Sequence, residues 1–312
     1  SSAFKQSLKG KILNKYTTLF RYSREIGIHR ETLAHMFNYS KFLNFDKLLR
    51  IVKEFDISDD EIYKEIISLY TRGSNTSKEL VLSKELTIDE FFVEGYALYL
   101  AEGDNGSNGK TKPRKFRFTN ADAGVINHMI NWISTYFHNN KFYVNVINPQ
   151  GNEINFDEIK KLIKHDKLNL KNEIYNKIIK YRLCLDSALL IDFILIIKDL
   201  IKETCSKNPK LAAAYIRGMM IGEGTAYFNK SRYVRIEMKN EKEIKYIHRL
   251  LTMLGFDCKP VLRSNRHNMW SLYIGAKQLD KFAKEIGFGV HQERQQILEQ
   301  GVNKVLKVNQ YC

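Results

Sequence analysis

The sequence predicts an α+β fold: a small all-α domain, then two pseudo-symmetric αββαββα repeats that form antiparallel sheets. Two observations carry this prediction. A closely spaced pair of short helical patterns lies near the N-terminus, and two similar apolar helices, each followed by alternating strands, occur later in the chain. A length of 312 residues also favours two or three structural units. We place them at residues 1–75, 76–206 and 207–312.

Composition excludes several classes of protein. Hydrophobic residues make up 44% of the chain, with only 4 prolines and 17 glycines, so a packed globular protein is expected rather than a disordered or fibrous one. The longest apolar run, Ala188 to Ile197, is interrupted by Asp192 and is shorter than the roughly 18 residues of a membrane span. The cysteines are widely spaced, without a zinc or disulfide pattern. An intracellular, DNA-containing compartment such as the cytoplasm is expected.

The net charge points to a polyanionic partner. Lys and Arg total 50 against 35 Asp and Glu, a formal charge of +15. Such a surface attracts nucleic acid by electrostatic steering and counterion release. Charge alone identifies no specific partner, so the argument depends on where particular residues are placed.

The all-α domain begins with a tight helix pair. Helices are predicted over Thr18–Ile26 and Arg30–Asn38, and Gly27 suits the left-handed residue of the turn between them. Two further helices, Asp46–Phe55 and Ser58–Tyr70, follow, and Ser58 with Glu61 fits a capping box at the start of the second. A turn this short is typical of a helix-turn-helix, and the segment resembles the repressor-type helix-turn-helix family over about fifty residues. The alternative is a generic helical bundle with a solvated face.

One face of this helix pair is polar and basic. Its donors and acceptors are of the kind that contact base edges and phosphates in the major groove. The predicted DNA-binding residues are His29, Arg30, His35, Asn38 and Lys41. The segment Thr71–Lys84 has the composition of a linker and separates this domain from the repeats.

The duplicated helices end in Glu-Gly. Small residues recur at four-residue spacing, Ala97 and Ala101 in the first helix and Gly218 and Gly222 in the second, so the two faces can pack closely. The glycine after each glutamate suits a left-handed helix end.

Close packing would bring Glu102 and Glu223 together. A carboxylate at a helix C-terminus faces the negative end of the helix dipole, which is unfavourable. Its occurrence in both helices suggests binding of a divalent cation, which would relieve the repulsion. The alternative is two exposed acids that happen to end helices.

Alternating strands and amphipathic helices complete each repeat. Polar and apolar residues alternate in Lys115–Thr119 and Tyr233–Lys239, as in half-buried strands. Helices Ala121–Phe137 and Glu241–Leu254 follow, and further strands are predicted at Phe142–Ile147, Ile178–Leu185, Lys259–Arg263 and Met269–Ile274. The outer strand faces are basic, either because they bind a duplex or because they are solvated. The predicted DNA-binding residues of the repeats are Lys115, Arg117, Lys141, Lys180, Arg182, Arg232, Arg235, Lys239, Lys259, Arg263 and Arg266.

From Leu86 to Val302 the chain resembles the monomeric LAGLIDADG homing endonucleases, with their paired motif helices and αββαββα repeats. The resemblance implies a monomer, without a protein partner, that cuts both strands of double-stranded DNA. It also implies that Glu102 and Glu223 are catalytic ligands of Mg²⁺ or Mn²⁺. Family members often carry a basic residue near the start of the last helix, and His291 aligns there as a third catalytic residue.

The sequence departs from the family pattern in three respects. Both acids are Glu where Asp is common, alanines replace the first motif's glycines, and an insertion spans about Gly151 to Asn172. Two other functions are compatible with the same fold: a DNA-binding regulator that has lost cleavage, and an RNA-binding splicing helper. No residue selects RNA over DNA.

Overall fold

The computed structural model describes residues 2–39, 45–65, 69–71, 78–80, 86–104, 115–137, 142–149, 154–173, 177–229, 231–264 and 267–309. The fold is the predicted α+β arrangement. The chain divides into two compact units, residues 1–69 and 70–312. Among the described residues, no helix is long and apolar enough to cross a membrane.

The first unit is a small helical domain with its own core. Its helices are α1 (Ser2–Tyr16), α2 (Leu19–Ile26), α3 (Arg30–Ala34), α4 (Phe45–Glu54) and α5 (Asp59–Glu65). Helix α1 was not predicted, although Leu8 and Ile12 on one of its faces are buried in this core. The predicted helix over Arg30–Asn38 changes to a π-helix at His35, and both Met36 and Phe37 are buried there.

Local signals in the first unit act as the sequence predicts. Gly27 has φ +65° and ends α2 in the left-handed conformation. The Ser58 hydroxyl accepts from the Glu61 amide at 3.2 Å, and the Glu61 carboxylate accepts from the Ser58 amide at 3.3 Å, which is a capping box. The helix predicted to reach Tyr70 instead ends earlier. Residues 69–71 form β1, which pairs with β2 (Lys78–Leu80) inside the predicted linker.

The second unit contains both repeats, whose buried side chains form a single core. The first repeat has a five-stranded sheet in the order β3-β4-β7-β5-β6. Its elements are α6 (Glu90–Glu102), β3 (Gly103–Asp104), β4 (Phe116–Asn120), α7 (Ala123–Phe137), β5 (Tyr143–Pro149), α8 (Phe156–Leu162), β6 (Leu168–Glu173), β7 (Lys180–Leu185) and α9 (Ala188–Ile196). The insertion forms α8 and β6, and β6 pairs parallel with β5, whereas the other pairings in this sheet are antiparallel.

The second repeat has a four-stranded antiparallel sheet in the order β10-β11-β9-β8. Helix α10 (Lys198–Lys207) precedes it. The remaining elements are α11 (Pro209–Glu223), β8 (Gly224–Phe228), β9 (Arg232–Met238), α12 (Glu241–Met253), β10 (Val261–Arg263), β11 (Met269–Gly275), α13 (Leu279–Glu285) and α14 (Gln292–Asn309). Strands β3 and β8, which directly follow the motif helices, were not predicted.

The two glycines that follow the motif helices differ from the prediction. Gly103 and Gly224 are not left-handed. Their φ angles are −76° and −79°, because the backbone passes directly from helix into strand at both positions. Glycine is needed for a different reason. A Cβ atom on Gly224 would lie 2.9 Å from Met220 Cα, and one on Gly103 would overlap the Tyr99 ring.

Candidate functional site

The motif helices α6 and α11 begin at strong N-caps. The Asp89 carboxylate accepts from the Phe92 amide at 2.7 Å. The Asn208 side chain accepts from the Leu211 amide at 3.3 Å, and Pro209 occupies the first helical turn. Almost every side chain of both helices is buried, so the pair forms the centre of the second unit.

Small residues let the two helices touch backbone to backbone. A Cβ atom added at Gly218 would lie 2.9 Å from both Ala97 Cβ and the Leu98 amide nitrogen. One added at Gly222 would lie 2.5 Å from Ala101 Cβ and 3.0 Å from Glu102 Cγ. The predicted packing of the small-residue faces is confirmed, and it puts Glu102 against the last turn of α11.

The two helix-ending acids lie at the joined ends of α6 and α11, where Glu102 is half-buried and Glu223 is exposed. Burial, and after it the negative charge of Glu223, raise the pKa of Glu102 to about 7 against the opposing charges of Arg294 and Lys180. Burial also raises the pKa of Glu223, again opposed by Arg294. A site that holds two carboxylates close together in this way favours a cation.

Arg294, near the start of α14, supplies positive charge at this site, and the sequence reasoning missed it. Its Nη1 atom donates to the carbonyl oxygens of Met220, Ile221 and Gly222 at 3.2, 2.6 and 3.0 Å. These carbonyls end α11, so the guanidinium both caps that helix and lies beside the acids. The sequence predicts His291 as the basic residue near the start of α14, and Arg294 lies three positions after it.

His291 lies just before α14 and is almost fully buried. Its Nδ1 atom is 3.5 Å from Asp122 Oδ2, and Asp122 also accepts from the amide of Gly124 at the start of α7. Burial, with the neighbouring Arg294, lowers the pKa of His291, which favours the neutral imidazole. The Nδ1 atom makes no hydrogen bond within the described structure.

One protein-family model matches a segment that includes most of α11 and its last residue, Glu223. Residues 210–287 match the family model described as a LAGLIDADG-like domain. The match lies within the second repeat and includes Glu223. No curated protein sequence matches the chain significantly.

Several solved structures are also similar to this chain. The crystal structure of I-DmoI in complex with DNA and Mn has 17% identity, covers 65% of this chain and 99% of its own, and has a TM-score of 0.43. The N-terminal LAGLIDADG domain of DUF199/WhiA has 14% identity, coverage of 67% and 88%, and a TM-score of 0.39. Full-length DUF199/WhiA from Thermatoga maritima has 13% identity, coverage of 72% and 62%, and a TM-score of 0.43.

A cavity opens beside Glu223 in the second repeat. It has a volume of about 290 Å³ and is lined by Glu223 together with Lys198, Lys239 and Asn240. Apolar side chains, including Met219, also line it. Predicted DNA-binding residue Lys239 therefore lies in the same cavity as Glu223.

Each sheet of the second unit has one face packed against helices and one face that we call the open face. In the first sheet, alternation places Lys115, Arg117, Lys180 and Arg182 on the open face. Three of these four side chains form ion pairs with carboxylates: Lys115 with Asp186 at 3.3 Å, Arg117 with Asp104 at 2.5 Å and Arg182 with Glu173 at 3.6 Å. These cations are thus held in fixed positions on the sheet.

The open face of the second sheet carries Arg235 and Arg263, both of which contact Glu237, at 3.5 and 3.3 Å. Arg232 lies elsewhere: it is in phase with the buried Val234, on the helix-covered face, because side chains alternate along β9. Lys259 is exposed ahead of β10.

The predicted contacts of the first unit are mostly on its surface. His29, Arg30, His35 and Asn38 are exposed. The Asn38 side-chain oxygen accepts from Lys9 at 2.8 Å. Lys41, Lys141 and Arg266 lie outside the described residues.

Proposed function

We propose that the chain is a site-specific double-strand DNA endonuclease that uses a divalent metal ion, Mg²⁺ or Mn²⁺, to hydrolyse phosphodiester bonds. The observation that carries this proposal is the pair Glu102 and Glu223 at the joined ends of α6 and α11, with raised pKa values. The LAGLIDADG-like domain that contains Glu223 supports it. So does the net charge of +15.

The donor set suits Mg²⁺. No cluster of three or more His, Cys, Asp or Glu side chains that could hold a metal occurs in the described residues, so an all-protein cage is not available there. Mg²⁺ commonly binds through one or two carboxylates and completes its shell with water and substrate phosphates. Bound divalent ions would supply an activated water and offset charge on the leaving oxygen.

The protein's own groups have distinct roles in this proposal. Glu102 and Glu223 act as ligands, and a bound cation keeps them ionised despite their raised pKa values. Arg294 fixes the end of α11, and so the position of Glu223, through three backbone carbonyls. His291, whose neutral form is favoured by burial, would hold a water molecule or accept its proton at Nε2, since Nδ1 faces the Asp122 carboxylate at 3.5 Å.

Basic groups on the open faces would hold the duplex. Arg117, Arg182, Arg235 and Arg263 exchange carboxylate partners for phosphates or base edges on binding. Lys239 lies in the cavity beside Glu223, where it suits a phosphate near the cut. The first unit extends the contact with DNA through its exposed polar residues. The protein acts as a monomer, since both acids belong to one chain.

Cleavage and binding must be tested separately. The probes are wild type, Glu102→Gln, Glu223→Gln and the double variant, each incubated with randomised duplex DNA in Mg²⁺ or Ca²⁺. Gln keeps the size and hydrogen bonding of the side chain but removes its charge. We expect DNA affinity to persist in all four proteins and double-strand cleavage in Mg²⁺ to fall by orders of magnitude in the variants.

The exposed Glu299 provides the charge-matched control, because it lies on α14 and contacts only Gln295 among the described residues. Glu299→Gln should cleave like wild type. Wild-type cleavage by the double Gln variant would refute the catalytic assignment.

A second candidate function is a DNA-binding regulator without cleavage. The observation that favours it is Arg294, whose positive charge opposes the pKa rise of both carboxylates and so offsets part of their negative charge. In that case, wild type binds a selected sequence in a salt-sensitive manner, shows no Mg²⁺-dependent cutting of it, and both Gln variants are silent in binding.

A further inference from the structure

The insertion adds a strand to the first sheet. Helix α8 is a crossover between β5 and β6, which allows these strands to pair in parallel. Ile159 and Ile163 pack into the core, and the Asn127 side-chain nitrogen donates to the Leu162 carbonyl at 2.7 Å. The insertion is therefore anchored to α7 on the helix-covered side, and β6 is the edge strand.

The register of β6 continues the alternation of the sheet. Asn169 lies opposite Asn145, which lies opposite Arg182, which lies opposite Thr119. These four residues form one row on the open face, across β6, β5, β7 and β4. Leu168, one position earlier, packs against the core on the other face. The open face thus extends onto β6.

Polar contacts link neighbouring residues along this row. Asn169 Nδ2 lies 3.5 Å from Asn145 Oδ1, and Arg182 Nε donates to the Thr119 hydroxyl at 3.1 Å. Asn145 is 3% exposed, so it can position Asn169 but is not itself open to a ligand. Asn169 itself and Lys171, two residues on, are exposed at the edge of the sheet.

The cations on this face complement DNA. Lys171 lies opposite Ile147, which in turn lies opposite Lys180, so both lysines are on the open face with Arg182. Among the described residues Lys171 has no ion-pair partner. A free lysine beside an exposed asparagine offers one phosphate contact and one base-reading group, because asparagine can pair bidentately with adenine.

We infer that β6 lengthens the duplex-DNA interface of the first repeat, with Asn169 reading a base at the outer end of the site and Lys171 binding a phosphate beside it. The inference rests on the proposed DNA-binding function. Strands are about 4.8 Å apart and successive base pairs about 3.4 Å apart. One added strand therefore extends the site by about one base pair on the side of the first repeat.

The test compares full-length wild type with Asn169→Ala, Lys171→Ala and Lys161→Ala. Lys161 is an exposed lysine of the same insertion, but it lies on α8, away from the open face. The Lys161 variant therefore has the same charge change without the proposed contact. Melting curves of all variants should match wild type, since the substituted side chains are exposed.

Site selection from randomised duplex DNA, followed by salt titration, measures the effects. We expect Asn169→Ala to lose roughly tenfold discrimination at one outermost position only. Lys171→Ala should weaken all sequences alike and reduce the slope of log K against log salt by about one. Lys161→Ala should do neither.

The outcomes separate this inference from the function on which it rests. If wild type binds a specific duplex but all three variants share its preference and salt slope, the role of β6 is refuted while DNA binding stands. If wild type binds no duplex DNA, or prefers structured RNA, the proposed function fails first and β6 loses its assigned partner.

Discussion

Removing the charge of Glu102 should stabilise the folded protein. The pKa of this carboxyl rises from 4.5 to about 7 on folding, chiefly through burial and then through repulsion by Glu223. At 1.36 kcal/mol per pKa unit, ionising it in the folded protein costs at most about 3 kcal/mol. The side chain is partly exposed, and solvent screening reduces this cost to about 2 kcal/mol. Glu102→Gln retains the shape of the side chain and removes that cost.

The effect of Glu102 on stability depends on pH. An acid whose pKa is raised by folding binds more protons in the native than in the unfolded state between the two pKa values, so stability falls as pH rises from about 4.5 to about 7. The variant lacks this loss. We expect its advantage to be absent at pH 4, to grow through pH 6 and to reach its full value at pH 8.

Thermal melting in a chelating buffer measures the effect without any contribution from metal. For a unit of this size, about 2 kcal/mol corresponds to a rise in Tm of roughly 4 to 8 °C at pH 8. Glu299→Gln is the control and should change Tm little. Since either single change removes the repulsion, the double variant Glu102→Gln with Glu223→Gln should gain less than the sum of the two. A Tm for Glu102→Gln at or below that of wild type at pH 8 would refute the repulsive pair.

Three further predictions follow from the packing and the surface. Gly218→Ala should lower the free energy of unfolding by about 2 kcal/mol in chemical denaturation, because its added Cβ would overlap α6. Gly275→Ala is the control, since no atom lies within 4 Å of its added Cβ, and equal effects would contradict the close helix contact. Arg217→Met should lower the free energy of unfolding by about 3 kcal/mol, because it leaves Glu94 buried without its 2.9 Å partner. The double variant with Glu94→Gln should regain part of that stability, and no regain would mean that the arginine acts through packing alone. Arg30→Ala should change base preference at one end of the selected DNA site by roughly 1 to 3 kcal/mol, and an unaltered preference would remove α3 from the interface.

Local signals made most of the fold predictable. The duplicated Glu-Gly helices, the alternating strands and the capping box all depend on nearby residues, and each forms close to its predicted bounds. Strands β3 and β8 were missed because the glycine after each acid was interpreted as a helix stop. In the structure it permits close contact with the preceding turn, and the chain continues directly as a strand.

The candidate site was only partly predictable, for a physical reason. Glu102 and Glu223 could be paired because small residues at four-residue spacing identify the contacting helix faces. Arg294 comes from a distant helix, and its role depends on three-dimensional contacts with the carbonyls that end α11. A signal existed, since a basic residue in the first turn of α14 is visible in the sequence, but spacing alone did not distinguish Arg294 from His291.

The motif helices are alike in their small residues and different in their charges, and this difference favours pairing between unlike helices. Glu94 of α6 accepts from Arg217 of α11 at 2.9 Å and lies 3.3 Å from His128 Nε2. Pairing α6 with a second α6 would bury two Glu94 carboxylates without a guanidinium, and pairing two α11 helices would leave two arginines uncompensated. Each arrangement adds an unpaired buried charge, which costs several kcal/mol. The ion pair therefore favours packing of α6 against α11, the combination that joins Glu102 to Glu223, with the Arg294 guanidinium bound to the carbonyls that end α11.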